Sequence, residues 1–233
     1  MILYLNGDSN SAGAEAVNYY CFAEDDPLYW GLGRQPHPDN LRVSYGCELA
    51  NLMGAVLECG AESASSNARI IRTTQEYLKE HTPDLIIIGW STWEREEWWD
   101  EDSQRYWQVS AGGVGHDWPD VIKDRYKDYI ANIDYQFAID QTHSNIYKLH
   151  RDLVDKGIKH LFFNTFQPFS NVPKFEWDYS YIEPYNPDST YYNWLKSQGF
   201  KTVRPDSYHF GSDAHVAWAE FLYQTLVQKH LTQ

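Results

Sequence analysis

Short apolar runs alternate along this chain with longer stretches whose apolar residues fall three and four apart, a rhythm that predicts strands feeding helices. Ile2 to Asn6 reads as an opening strand that runs into a polar, glycine-containing loop. Leu41 to Gly54 carries helical spacing through Leu49, Leu52 and Met53, and Ala55 to Cys59 is a second short apolar run. Asn67 to His81 predicts a helix with Ile70, Ile71, Tyr77 and Leu78 on its buried face, stopped by Pro83. Asp84 to Trp90 is apolar almost without interruption, as expected of a strand covered on both faces, and this points to a parallel sheet between helices.

The second half repeats the rhythm less cleanly. From Trp98 to Trp118 the period dissolves into charges, aromatics and Gly112-Gly113, which predicts an inserted, lid-like loop. Asp120 to Lys156 is helical with a break near Asp134 or Gln141, and Gly157 introduces a strand from Ile158 to Thr165. Asn171 to Pro187 is aromatic, proline-bearing and aperiodic; Tyr191 to Gln198 predicts a helix and Phe200 to Arg204 a further strand. Ser212 is placed to cap a last helix whose apolar positions are Ala214, Trp218, Phe221, Leu222 and Leu226. The expected fold is α/β: a three-layer α/β/α sandwich on a mostly parallel, flavodoxin-like sheet of five strands, forming one domain over residues 1–233. No internal repeat or low-complexity tract interrupts it.

Charge narrows the partners. With 33 acidic against 19 basic residues the net charge is −14, which repels phosphate backbones and anionic lipid, so nucleic acid and membranes are not expected as partners. No apolar run approaches the roughly 18 residues a membrane span needs. The first strand begins at Met1 or Ile2, so a soluble chain without a signal peptide is expected, cytoplasmic or released without one. Three cysteines, Cys21, Cys47 and Cys59, are odd in number and lack CxxC spacing, which reads as free thiols rather than a disulfide framework or thiolate zinc site. The 18 Tyr, 10 Trp and 10 Phe place many rings in loops, where they can stack on a ligand.

The chemistry concentrates at the two ends. Gly7-Asp8-Ser9 closes the first strand, and Asp206-Ser207-Tyr208-His209 follows the last predicted one. A serine hydroxyl becomes a nucleophile when an imidazole takes its proton, and the imidazole needs a carboxylate to fix its tautomer. Ser9, His209 and Asp206 are the candidates for those roles. Singly, they read as a helix cap and a polar turn; jointly, they fall where an open parallel sheet collects reacting groups, beyond the carboxyl ends of its strands. Ser11 is a weaker rival nucleophile. His215 is a rival base, but it falls in the first turn of the last helix, where the positive dipole end disfavours an imidazolium, so it is assigned to packing or a supporting hydrogen bond. His116, His143 and His150 have no ligand spacing, and nucleotide, zinc-protease, calcium-loop and GxSxG motifs are absent, so neither cofactor nor metal is expected.

Leu3-Tyr4-Leu5-Asn6-Gly7-Asp8-Ser9, together with Asp206 to Gly211 and His215-Val216-Ala217-Trp218-Ala219, resembles the SGNH or GDSL hydrolases. The resemblance implies a Ser-His-Asp esterase acting on a carboxylic ester, with an acetyl ester on a carbohydrate among its substrates. Such enzymes hold the oxyanion with the serine's own amide, a glycine of a second motif and an asparagine of a GxND-like third motif. Here the second motif reads Ala64-Ser65-Ser66-Asn67-Ala68-Arg69 and the third Gly89-Trp90-Ser91-Thr92, so Ser91 stands where asparagine would. The expected oxyanion donors are therefore the amides of Ser9, Ser65 and Ser66 and the side chains of Asn67 and Ser91. Asp8, Trp90 and Arg95 are expected to line the substrate, Arg95 orienting it or a loop carboxylate; Arg95 otherwise belongs to a solvated run of ion pairs. The missing asparagine keeps a second reading open, a weakly active or inactive carbohydrate-binding or structural module on the same fold.

Overall fold

The computed structural model describes residues 1–21, 35–110 and 118–231. Its centre is a four-stranded parallel sheet, β1 (Ile2–Asn6), β2 (Val56–Cys59), β3 (Leu85–Trp90) and β6 (His160–Asn164), in the order β2-β1-β3-β6. Side chains alternate across a strand, and the two faces feed two cores. Leu3, Leu5, Leu85, Ile87, Leu161 and Phe163 pack on α2 (Tyr45–Met53), α6 (Tyr191–Ser197) and α7 (Ser212–Gln228), through Leu49, Leu195, Trp218 and Leu222. Tyr4, Ile86, Ile88 and Phe162 face α3 (Asn67–Tyr77) and α5 (Tyr135–Asp155) through Ile70, Ile146, Leu149 and Leu153. This is the three-layer α/β/α arrangement that the continuous apolar run of β3 implies, with every residue of that strand buried.

The helix ends follow local chemistry. Ser44 and Ser66 cap α2 and α3 by accepting from the amides of Cys47 and Arg69, and Gly54 ends α2 in the left-handed conformation. The long helical segment breaks at Ile133 and Asp134, where Asp134 leaves α4 (Asp120–Asn132) and caps α5 by accepting from the amide of Phe137. A short α1 (Pro38–Arg42) precedes α2.

Three expectations change. The segment read as a lid begins as an antiparallel hairpin, β4 (Glu96–Asp100) with β5 (Arg105–Val109), pairing Trp98 with Trp107; residues 111–117 lie outside the described residues. Residue type does not alternate there: Trp98 and Asp100 are buried while Trp99, between them, is exposed, so no period of two shows in the sequence. Trp98, Trp107 and Val109 pack on Trp118, Ile122 and Tyr126, and Arg72 of α3 grips Glu97 at 2.5 Å. Phe200 to Arg204, expected as a fifth strand, makes one antiparallel bridge between Thr202 and Phe210, leaving the described sheet at four strands. Finally, Gly211 rather than Ser212 occupies the cap of α7.

Candidate active site

In the order β2-β1-β3-β6 the chain leaves β1 toward β2 and later returns on its other side, so a crevice opens beyond the carboxyl ends of β1 and β3. Ser9 follows β1 there. Its loop is rigid: the amide of Asn10 donates to Asp8 Oδ1 at 3.0 Å, that of Ala12 to the Asp8 carbonyl at 3.0 Å and that of Ala14 to the Ser9 carbonyl at 2.9 Å.

Gly7 is what lets the strand turn into this loop. It has φ of 155°, and a Cβ on it would sit 2.1 Å from Ser11 Oγ and 2.9 Å from the Gly89 carbonyl. Ser11 cannot swing aside freely, because Tyr45 donates its hydroxyl to Ser11 Oγ at 2.6 Å in the core. Gly7→Ala is therefore expected to cost about 1–3 kcal/mol in urea unfolding through overpacking. An unchanged urea midpoint would contradict this packing.

Ser9 Oγ and His209 Nε2, two hundred residues apart in sequence, lie 2.8 Å from one another. On the other side of the ring, Nδ1 donates to Glu15 Oε2 at 2.6 Å, which assigns the tautomer and leaves the Nε2 lone pair facing the serine. Glu15 is buried and well held. Its Oε2 also accepts from Ser207 Oγ at 2.6 Å, its Oε1 pairs with Arg204, and Ser207 Oγ in turn accepts from the His209 amide at 3.0 Å. The hydrogen bond from His209, helped by Ser207 and the Arg204 charge, outweighs burial and holds the Glu15 carboxyl down at about 2. Glu15 is therefore ionised at neutral pH.

Asp206 is not part of this relay. Its side chain is 82% exposed and its nearest charge is Arg204 Nε at 3.8 Å, while Glu15 fills the position at Nδ1. The two-residue span from Asp206 to His209 is spent on a turn in which Ser207, not Asp206, faces inward. Glu15 was missed in the sequence because it lies next to the serine rather than the histidine. A signal existed in the sequence: it is the single charge in the run Ala12-Gly13-Ala14-Glu15-Ala16, which the fold buries throughout. It also adopts φ of 61°, a left-handed conformation that a non-glycine residue adopts at a cost, and such strain gathers at functional positions.

The other expected residues are occupied elsewhere. The Ser65 amide donates to the Glu62 carbonyl at 3.2 Å and the Ser66 amide to Gln108 Oε1 at 3.1 Å, so neither is free for an oxyanion. Asn67 Nδ2 donates to the carbonyls of Ser91 and Thr92, and its Oδ1 accepts from the Ser91 amide at 2.8 Å, which ties α3 to the end of β3. Ser91 Oγ donates to Asp8 Oδ2 at 3.1 Å and accepts from Arg95 Nη1 at 2.8 Å. Arg95 also reaches Asp8 at 3.3 Å, so the loop carboxylate it orients is Asp8. Asp8 is fully buried and braces the serine loop against the end of β3 instead of lining a substrate. Trp90 is likewise buried, edge-on to Phe162 at 5.1 Å, and is core. Among the described residues the Ser9 amide donates to no protein acceptor, which leaves it available at the crevice. His215 is buried and accepts at Nδ1 from the Tyr45 amide at 3.2 Å, a supporting role.

No protein-family model matches the sequence, and no curated protein matches it. Among solved structures, that of TesA is 14% identical over 98% of this chain and 99% of its own, with a TM-score of 0.51. The shared feature is the fold. A putative lipolytic protein of the G-D-S-L family from Desulfitobacterium hafniense DCB-2 follows at 10% identity, 97% and 99% coverage and a TM-score of 0.48. The acetyl xylan esterase Est2A from Butyrivibrio proteoclasticus matches at 12% identity and a TM-score of 0.43, the chain spanning 65% of that protein. No helix among the described residues is long and apolar enough to cross a membrane.

Proposed function

We propose that this protein is a serine esterase of the SGNH type, hydrolysing a carboxylic ester with Ser9 as nucleophile, His209 as general base and acid, and Glu15 as the orienting carboxylate. The observation that carries the reading is the continuous relay from Ser9 Oγ through His209 to Glu15, at 2.8 and 2.6 Å. Ser9 Oγ attacks the ester carbonyl as Nε2 takes its proton; the imidazolium is stabilised by Glu15 and then protonates the departing alkoxide. Water repeats the sequence on the acyl-enzyme. The Ser9 amide is the oxyanion donor this chain supplies from the expected set, and each missing donor lowers turnover by roughly a hundred- to a thousandfold, so modest rates are expected.

An acyl group carried on a sugar suits the surroundings. Many of the rings expected in loops are packing instead: Trp98, Trp107, Trp118, Trp177 and Tyr181 are buried. One exposed ring stands beside the relay, with two half-buried ones against it. Tyr208, beside His209 and 65% exposed, meets Phe166 edge-on at 6.0 Å and Tyr192 at 6.3 Å, a surface suited to a pyranose face. The occupied Ser91 and Asn67 side chains favour the second reading, a weakly active or inactive carbohydrate-binding module. Hydrolysis of p-nitrophenyl acetate separates the two: the esterase reading requires turnover above background that Ser9→Ala abolishes, whereas equal rates for parent and variant would remove it.

A further inference from the structure

Beside the relay lies a thiol that acyl transfer does not use. Cys21, Glu15 and His209 each offer one ligand atom, and these atoms lie within 4.8 Å of one another. The three differ in kind: a soft sulfur, a borderline imidazole and a hard carboxylate, the mixture that zinc-class ions accept. A tetrahedral ion with bonds of about 2.0–2.3 Å keeps its ligands somewhat under 4 Å apart, so closure asks for side-chain movement of about 1 Å. The carboxylate arrives already ionised and buried, with Arg204 on Oε1 and Oε2 turned to the imidazole. In the absence of an ion, burial and the nearby Glu15 charge push the Cys21 thiol up to about 11; a dication reverses that local field.

We propose that Glu15, Cys21 and His209 form a binding site for a thiophilic divalent cation of the zinc class, and that its occupancy silences the Ser9–His209 pair. The binding half stands on the cluster itself, and the silencing half rests on the esterase reading. The proton balance is simple. Cys21 gives one proton to solvent as the metal–sulfur bond forms, and Glu15 gives none. If the ion takes Nδ1, the ring proton moves to Nε2; if it takes Nε2, it occupies the lone pair that faces Ser9. In both cases Nε2 can no longer accept the serine proton, so attack stops while substrate access stays open. The site acts as a metal-dependent brake, released when the ion is withdrawn.

The test titrates the full chain with cadmium and zinc. Cadmium bound to a thiolate adds an ultraviolet charge-transfer band that is independent of catalysis, and the expected result is one equivalent bound with that band. Cys21→Ser should remove the band and weaken zinc at least tenfold, since even outer-sphere partners of a metal site are worth about 10–100-fold; Cys47→Ser should keep both. The ratio of ester turnover with and without zinc should fall steeply for the parent, return with a chelator and approach one for Cys21→Ser. Unchanged binding in a folded Cys21→Ser protein would overturn the site, and tight binding at this thiol without loss of turnover would overturn the brake. A parent that binds as expected but hydrolyses no ester would support the site and sink the esterase reading instead.

Discussion

On a p-nitrophenyl ester, Glu15→Gln lowers kcat by roughly a thousand- to ten-thousandfold, close to the effect of Ser9→Ala or His209→Ala, while Asp206→Asn leaves it within about twofold. The contrast follows from where each carboxyl sits. Glutamine in place of Glu15 can present its amide N–H to Nδ1, which selects the tautomer with the proton on Nε2, the wrong side for taking one from Ser9. It also withdraws the charge that stabilises the imidazolium and leaves Arg204 and Ser207 with a neutral partner. Asp206 makes only an exposed contact to Arg204, and such pairs contribute at most about 1 kcal/mol. Circular dichroism and urea midpoints should remain near those of the parent for Asp206→Asn. A loss of kcat with Asp206→Asn and none with Glu15→Gln would return the acid to the position next to the histidine.

Stability falls steeply between pH 6.5 and 4. Burial lowers His143 and His160 to about 4 and His215 to about 3, so all three are neutral in the fold. Their packing explains why. His143 stacks on Phe175 at 4.4 Å, His160 lies between the Ile158 carbonyl and the His150 ring, and His215 is enclosed with Tyr45 and Tyr191. In the unfolded chain each takes a proton near 6.5, so above that pH they contribute no pH dependence, and below it the unfolded state is progressively favoured until the folded pKa is reached. At about 1.4 kcal/mol per unit, the loss by pH 5 is on the order of 2 kcal/mol for each histidine. Glu15 adds in the same direction at lower pH: its stabilisation is present above about 4.5 and is lost as pH falls toward 2. His150 acts in the same direction: burial lowers it, opposed in part by Asp178, whose carboxylate lies 3.5 Å from Nε2. Urea midpoints at pH 7.5 and 5 check this; equal midpoints would mean that these rings are hydrated in the fold.

The difference between what the sequence discloses and what it hides follows the range of the interactions. β3 is legible because six consecutive buried positions leave no other element for an apolar run of that length, and the helix break is legible because Asp134 both ends one pattern and caps the next. The hairpin after β3 is not, since Trp98 and Trp107 declare themselves inward only once α4 lies against them. Phe200 to Arg204 has a strand's composition, but Arg204 is drawn to Glu15 and Thr202 donates its hydroxyl to the Arg204 carbonyl, which turns the chain away from the sheet. At the site, strand ends predict where Ser9 and His209 lie, because topology alone brings those ends together. Which carboxylate meets Nδ1 depends on a left-handed backbone at Glu15, and the lone charge among Ala12, Gly13, Ala14 and Ala16 marks that residue without giving its direction.

The central claim is that Ser9 is a nucleophile activated through His209 and Glu15, and covalent labelling by a fluorophosphonate tests it most directly. The account predicts one adduct, on the peptide carrying Ser9, absent from Ser9→Ala, strongly slowed in His209→Ala and Glu15→Gln, and retained in Asp206→Asn and Cys21→Ser. No adduct on the folded parent, or labelling that survives in Ser9→Ala, would contradict it.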